Sequence, residues 1–447
     1  MSTRPKQDFT LPDALIKTIA HFFPHFWSDL SQVKDPRDPT RIVYPMEMEL
    51  FVGVLFLMLH GGSRRNIKYK LATPVFLENL RLIWKTFYPK VLFPESLFHG
   101  DTLHYLLKRI DPEDIHNHLR RPLMRRLLRG RSLEDFRLLG HWYMVMIDGT
   151  GYRSFSKPHC PHCLKRTQDH GTVYLHQVLE AKLVLLKPGM ALSIETEFIE
   201  NENQEVSKQD CELKAFHRLA ARLKRDFSQL NICLSVDGLY LGAPTIDLCQ
   251  RNRWHYFITF KEGSAPAFFA EYEALLKLDA KNFLRQEKED GAISRCRWVN
   301  RIDWEGRRVN VLENTEQTAK GETRFVWATD FEMDLGNVQE LERGGRARWK
   351  IENEGFNVQK NGGYELEHPF SDHPAAMKNF YLLTQIAHLF NQLMEKGSLL
   401  GERIRETMGS LKVFSLKMWA AFTEVFIEPA RLREILAARI QIRFDTS

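Results

Sequence analysis

An α/β core carrying a β-rich insertion, with mainly helical sequence before it and helices after it, is the fold class this sequence predicts. Three observations predict it. Apolar residues recur at three-and-four spacing over residues 10 to about 138, short apolar runs end at Asp-Gly pairs from residue 142 on, and apolar and polar residues alternate between 290 and 332.

The first region reads as helices, with Leu50, Val54, Leu57 and Met58 on one face. Proline-rich stretches at 35–44 and 89–94 separate the helical groups. Its strongest basic cluster spans 119–131, and on a helix Arg121, Arg125 and Arg129 would share a face. The six arginines there meet no acidic neighbour before Glu134, so a phosphate-tracking face and an ordinary solvated one stand level.

From 143 the period changes. Residues 143–147 form an apolar run closing on Asp148-Gly149, read as a buried strand and a turn. Strands are expected at 178–186 and 190–199, a helix at 208–227, and a strand at 231–236 closing on Asp237-Gly238. A helix at 244–252 and a strand at 254–260 follow. Three strands, a helix, a strand, a helix and a strand suit an α/β core. Short alternating strands at 296–302, 308–312 and 324–328 make the insertion, and helices return at 336–359 and 375–395. The implied organisation is a helical region at 1–138 and a core at 139–265 and 336–400. The insertion takes 266–335 and a helical tail takes 401–447.

Composition sets the class. With 447 residues, 43% hydrophobic and 27% charged, the chain can bury a core. Its 63 basic against 57 acidic residues permit a nucleic-acid partner without demanding one. Six cysteines do not make a disulfide scaffold, the N-terminus lacks a signal-peptide apolar core, and the apolar run 50–59 is too short to span a bilayer. A cytoplasmic protein with no membrane partner is expected.

Asp148 and Asp237 each follow an apolar strand. If the strands are neighbours, two acids meet at one sheet edge, where they repel unless a hard cation such as Mg²⁺ or Mn²⁺ lies between them. Taken singly, each Asp-Gly is more simply a turn. The third element is the stretch from Arg346 to Lys360, RARWKIENEGFNVQK. It resembles the signature helix of IS4-like DDE transposases, which carries Tyr, two residues, Arg, three residues, Glu, six residues and Lys. Arg348 and Glu352 match in type and spacing. The segment 208–212 and the insertion between the second aspartate and the glutamate also look familial, so the resemblance covers residues 140 to about 395. Two departures stand out. Gly345 occupies the tyrosine position, and Lys360 comes eight residues after Glu352, about 80° round a regular helix. A π-bulge near Gly355 would absorb the extra residue. Glu354 is the rival acid.

What the resemblance implies is an RNase H-like core and a DNA transposase that cleaves and joins strands. Two Mg²⁺ or Mn²⁺ ions would be held by Asp148, Asp237 and Glu352, with Asp148 common to both. Arg348 and Lys360 would position phosphates. Trp349 could stack on a displaced base, although packing of its helix against the core is the more ordinary use of an indole. Double-stranded DNA, both element terminal repeats and target, would be the partner. A homodimer on DNA and association with the nucleoid are also implied. A metal nuclease without strand transfer, and a DNA-binding derivative without catalysis, are the alternatives.

One motif stands apart. In HCPHC at 159–163, Cys160 and Cys163 offer half of a structural zinc site, with His159, His162, His170 or His176 to supply the rest. The same four residues from Cys160 to Cys163 resemble the redox motif of the thioredoxin superfamily, which needs its first cysteine at a helix N-terminus straight after a strand.

Overall fold

The structure, a computed structural model, describes residues 9–445 other than 169–170, 204, 279–280 and 289–290, so His170 lies outside the described residues. The chain divides into two compact units. One comprises residues 1–133, 151–175 and 356–447, and the other 134–150 and 176–355.

The first unit begins with helices α1 (Leu11–Phe22), α2 (Phe26–Leu30), α3 (Met46–Met58), α4 (Pro74–Phe87), α5 (Gly100–Leu107), α6 (Pro112–Ile115) and α7 (Arg121–Arg129). Local chemistry starts these helices. Thr10 and Asp13 close a reciprocal capping box on α1, at 3.2 and 3.1 Å, and the Thr73 hydroxyl accepts from Phe76 N ahead of α4. The nearly continuous apolar sequence of α3 is explained by burial on almost every side.

The second unit is built on a mixed sheet. Its strands are β1 (Tyr143–Phe155), β3 (Gly171–Leu185), β4 (Met190–Ile199), β5 (Ile232–Val236), β6 (His255–Thr259), β7 (Phe283–Glu287), β8 (Ile293–Trp304), β9 (Arg307–Thr318) and β10 (Gly321–Thr329). A short β2 (Leu164–Gln168) pairs with the start of β3. The order runs β3-β1-β5-β6-β10-β9-β8-β7, with β4 alongside β3. β1, β5 and β6 are mutually parallel, and β10 joins β6 antiparallel. Parallel strands need both faces covered, and the apolar residues of β1 and β5 are buried accordingly. Helices α8 (Glu212–Asp226), α9 (Ala243–Asn252), α10 (Pro266–Leu278) and α11 (Val338–Arg346) accompany them. Long antiparallel β8, β9 and β10 form the insertion.

The chain returns to the first unit through α12 (Asn357–Asn361), α13 (Pro374–Lys396), α14 (Gly401–Thr407), α15 (Leu411–Glu424) and α16 (Pro429–Ala437). The 23-residue α13 packs on α3, α1, α5 and α6, and its polar side chains are buried with it. Two of their amides donate to carbonyls at the ends of other helices. The Asn379 amide donates to the carbonyls of Leu107 and Ile110 at 2.7 and 2.8 Å, and Asn391 donates to Met58 O and to the Tyr364 hydroxyl. None of the described helices is long and apolar enough to cross a membrane.

Two sequence expectations change. No turn follows Asp148, because β1 continues extended to Phe155. The helix expected over 336–359 is interrupted after α11, at 347–348, and then widens into a π-helical turn, Ile351–Phe356. That turn includes Gly355, where the extra residue was expected. A Cβ there would lie 3.0 Å from the buried Lys182 stem on β3, so any other residue would require that side chain to shift by a few tenths of an ångström.

Candidate active site

The register of β1 and β5 brings two acids side by side. Val145 pairs with Leu234 and Met146 with Ser235, so Asp148 and Asp237 each stand two residues beyond the last paired position of parallel neighbours. Asp237 caps the 3-10 turn Gly238–Tyr240 by accepting from Leu239 N at 2.9 Å. Asp148 accepts from Gly149 N at 2.9 Å and from Arg348 Nη1 at 3.3 Å. Of the two Asp-Gly pairs, then, one is a turn and the other a continuing strand.

Burial pushes the Asp148 carboxyl above its ordinary range, Arg348 and the Gly149 amide pull it back, and the charges of Asp237 and Glu352 push it up again. Glu352 is exposed and opens the π turn. Its rival Glu354 pairs instead with Lys350 at 3.4 Å. Asp148 thus stands among two like charges with one guanidinium partner, although the oxygens of Asp148, Asp237 and Glu352 do not all lie within 4.8 Å of one another.

Gly345, which fills the tyrosine position of the signature, has a physical reason. A Cβ there would lie 2.7 Å from the Trp327 ring, so that indole takes the space of a side chain. Trp349 departs from the packing expected of it, being 58% exposed. It lines a cavity of about 480 Å³ together with Phe325, Trp327, Lys261, Arg324 and Arg348. Phe325 and Trp327 stack at 6.0 Å on one face of β10. Their two-residue spacing was visible in the sequence, though it reads only as a strand.

The other residues singled out by sequence lie in the first unit. Lys360 forms an ion pair with Glu367 at 3.0 Å. Arg129 is exposed, Arg121 donates to Asn117 O at 3.5 Å, and Arg125 is half-buried with protein partners of its own. Arg126 pairs with Asp29, an acid distant in sequence, so the cluster is partly neutralised from outside its own helix.

Two groups of three buried His, Cys, Asp or Glu side chains have donor atoms within 4.8 Å of one another and could hold a metal ion. One is local to a hairpin. Cys160 and Cys163, which form no disulfide and whose Sγ atoms lie 3.6 Å apart, precede β2, and His176 lies on the returning strand β3. Glu200 stands 3.9 Å from His176 Nδ1, as an orienting carboxylate would. His159 is drawn away from this group. Its ring stacks on Phe155 at 4.1 Å and its Nε2 meets the Asp372 carbonyl. His162, half-buried, has partners within the protein and is not among the three. No helix starts at Cys160, so the geometry of a redox motif is missing.

No protein-family model matches the chain, and no curated protein matches it.

Proposed function

We propose that the chain is a DNA transposase of the DDE type, resembling the IS4-like group, on an RNase H-like core. One observation carries this reading. Asp148 and Asp237 stand on adjacent parallel strands, each two residues past the last paired position, and the charge of Glu352, far along the chain, bears on Asp148. The order of β1, β3, β4, α8, β5, α9 and β6 supports the RNase H-like core.

Asp148, Asp237 and Glu352 would hold divalent Mg²⁺ or Mn²⁺. A pair of such ions supplies an activated water or 3′-hydroxyl and neutralises charge on the leaving oxygen during in-line attack. The protein's own residues do the rest. Asp148 within β1 and Asp237 just after β5 are carried on rigid backbone. Arg348 restrains Asp148 and offers its remaining N–H groups to a phosphate. Trp349 presents an uncovered indole to a base beside it. Lys360, Arg121, Arg125 and Arg129 are proposed phosphate contacts that position duplex DNA. The protein would act as a homodimer on two DNA ends. Cys160, Cys163 and His176, a softer donor set, would suit Zn²⁺ away from the acidic pocket.

The test is a strand-transfer reaction in Mg²⁺ with labelled DNA from the flanks of the gene, comparing the wild type with Asp148→Ala. Cleaved and joined products that vanish in the variant are expected. Cleavage without joining favours a nuclease, binding without cleavage favours an inactive derivative, and joining that survives Asp148→Ala overturns the metal site.

A further inference from the structure

A fourth carboxylate, the last residue of the segment 208–212, sits against the acidic pair. Glu212 is the first residue of α8, and its Oε1 lies 2.5 Å from where a Cβ on Gly149 would stand. An acid at a helix start is ordinarily explained by the helix dipole. Here the carboxylate reaches instead across the backbone of the residue that follows Asp148, and the missing side chain of Gly149 leaves it room.

A second, separate observation points into the same space. Tyr240 ends the 3-10 turn after Asp237 and is 2% exposed. Its ring packs on Phe216, one turn along α8 from Glu212, with centroids 4.9 Å apart. The buried hydroxyl faces Glu212 but closes no hydrogen bond of normal length. The charges of Glu212, Asp237 and Asp148 all bear on this phenol, whose O–H can donate to a carboxylate. A buried donor short of a full partner, among three carboxylates, is unfinished chemistry.

We propose that Glu212 is a fourth carboxylate of the divalent-cation pocket and that Tyr240 is the positioning residue that steadies it. The proposal rests on the reading of Asp148, Asp237 and Glu352 as the metal-holding acids. Glu212 adds oxygen and negative charge from the α8 side, while Tyr240 supplies a neutral O–H to the carboxylate or to water held beside it. Mg²⁺ and Mn²⁺ favour such a wall, because they keep part of their hydration and need oxygen acceptors around it.

The test titrates Mn²⁺ into the full-length protein without DNA, by calorimetry, for the wild type, Glu212→Gln, Tyr240→Phe, Gly149→Ala and Asp148→Asn, with metal-free melting curves as the check on folding. Glu212→Gln is expected to weaken Mn²⁺ binding about tenfold and Tyr240→Phe roughly threefold. Gly149→Ala, which pushes the flexible Glu212 carboxylate aside, should fall between them. Glu212→Gln and Gly149→Ala binding as the wild type does, while Asp148→Asn does not, would overturn the role of Glu212 and leave the three-acid reading standing. A wild type that takes up no Mn²⁺ overturns both.

Discussion

On the β-rich side of the sheet, Glu313 is buried on β9 and accepts from Arg297 Nε at 3.0 Å, Arg324 Nε at 2.9 Å and the Tyr272 hydroxyl at 2.9 Å. Burial acts to raise its carboxyl, but the two guanidiniums win and hold it below the usual glutamate range. Where the pairing of β1 and β5 stops, Asp148 has one guanidinium and two neighbouring acids, and burial wins there. Both acids belong to one sheet, yet one has all its charge answered within the fold and the other does not. The difference teaches how to tell an acid whose charge the fold answers from one it leaves beside like charges. The first is surrounded by donors, and the second by other acceptors.

The comparison breaks most visibly at Asp148. Asp148→Asn should lower strand-transfer activity roughly thousandfold, about 4 kcal/mol of transition-state stabilisation, because a metal-holding group is lost. Its metal-free protein should nevertheless melt at or above the wild-type temperature. A carboxyl with a raised pKa costs stability once the pH passes that pKa, and the variant removes this cost.

Glu313→Gln should do the reverse, with activity in a DNA assay kept but about 2–3 kcal/mol of stability lost in urea unfolding at pH 7. The sign of its pH dependence follows from the lowered carboxyl. The stabilisation is present above the ordinary glutamate range and disappears as the pH falls through the depressed value, so wild type and variant should converge in acid. The first unit sharpens the contrast with a neutral case. Asn379→Leu leaves the buried carbonyls of Leu107 and Ile110 without their donor and should cost about 1–2 kcal/mol, read from the same unfolding curves.

Much of this arrangement was legible in the sequence. Apolar period located most strands of the core and most helices, and the spacing of Arg348 and Glu352 together with the late Lys360 located a π turn at Gly355. What was hidden depends on contacts between distant segments. Nothing at Gly149 says that Glu212 will lean across it, so its Asp-Gly pair reads as a turn. Gly345 gives no sign that Trp327 fills its space. The arginines of α7 look unpaired until Asp29 meets Arg126. The sequence offered His159, His162, His170 and His176 alike as zinc ligands, whereas the hairpin register, with Leu164 opposite Leu175, selects His176.

The central claim is that Asp148, Asp237 and Glu352 share one divalent cation pocket, and Mn²⁺ affinity measured across single neutralisations tests it most directly. Asp148→Asn, Asp237→Asn and Glu352→Gln should each weaken Mn²⁺ binding tenfold or more, by roughly 1.4 kcal/mol, while Glu354→Gln changes it little. Equal affinity in wild type and Glu352→Gln, or a larger loss in Glu354→Gln, would contradict the account.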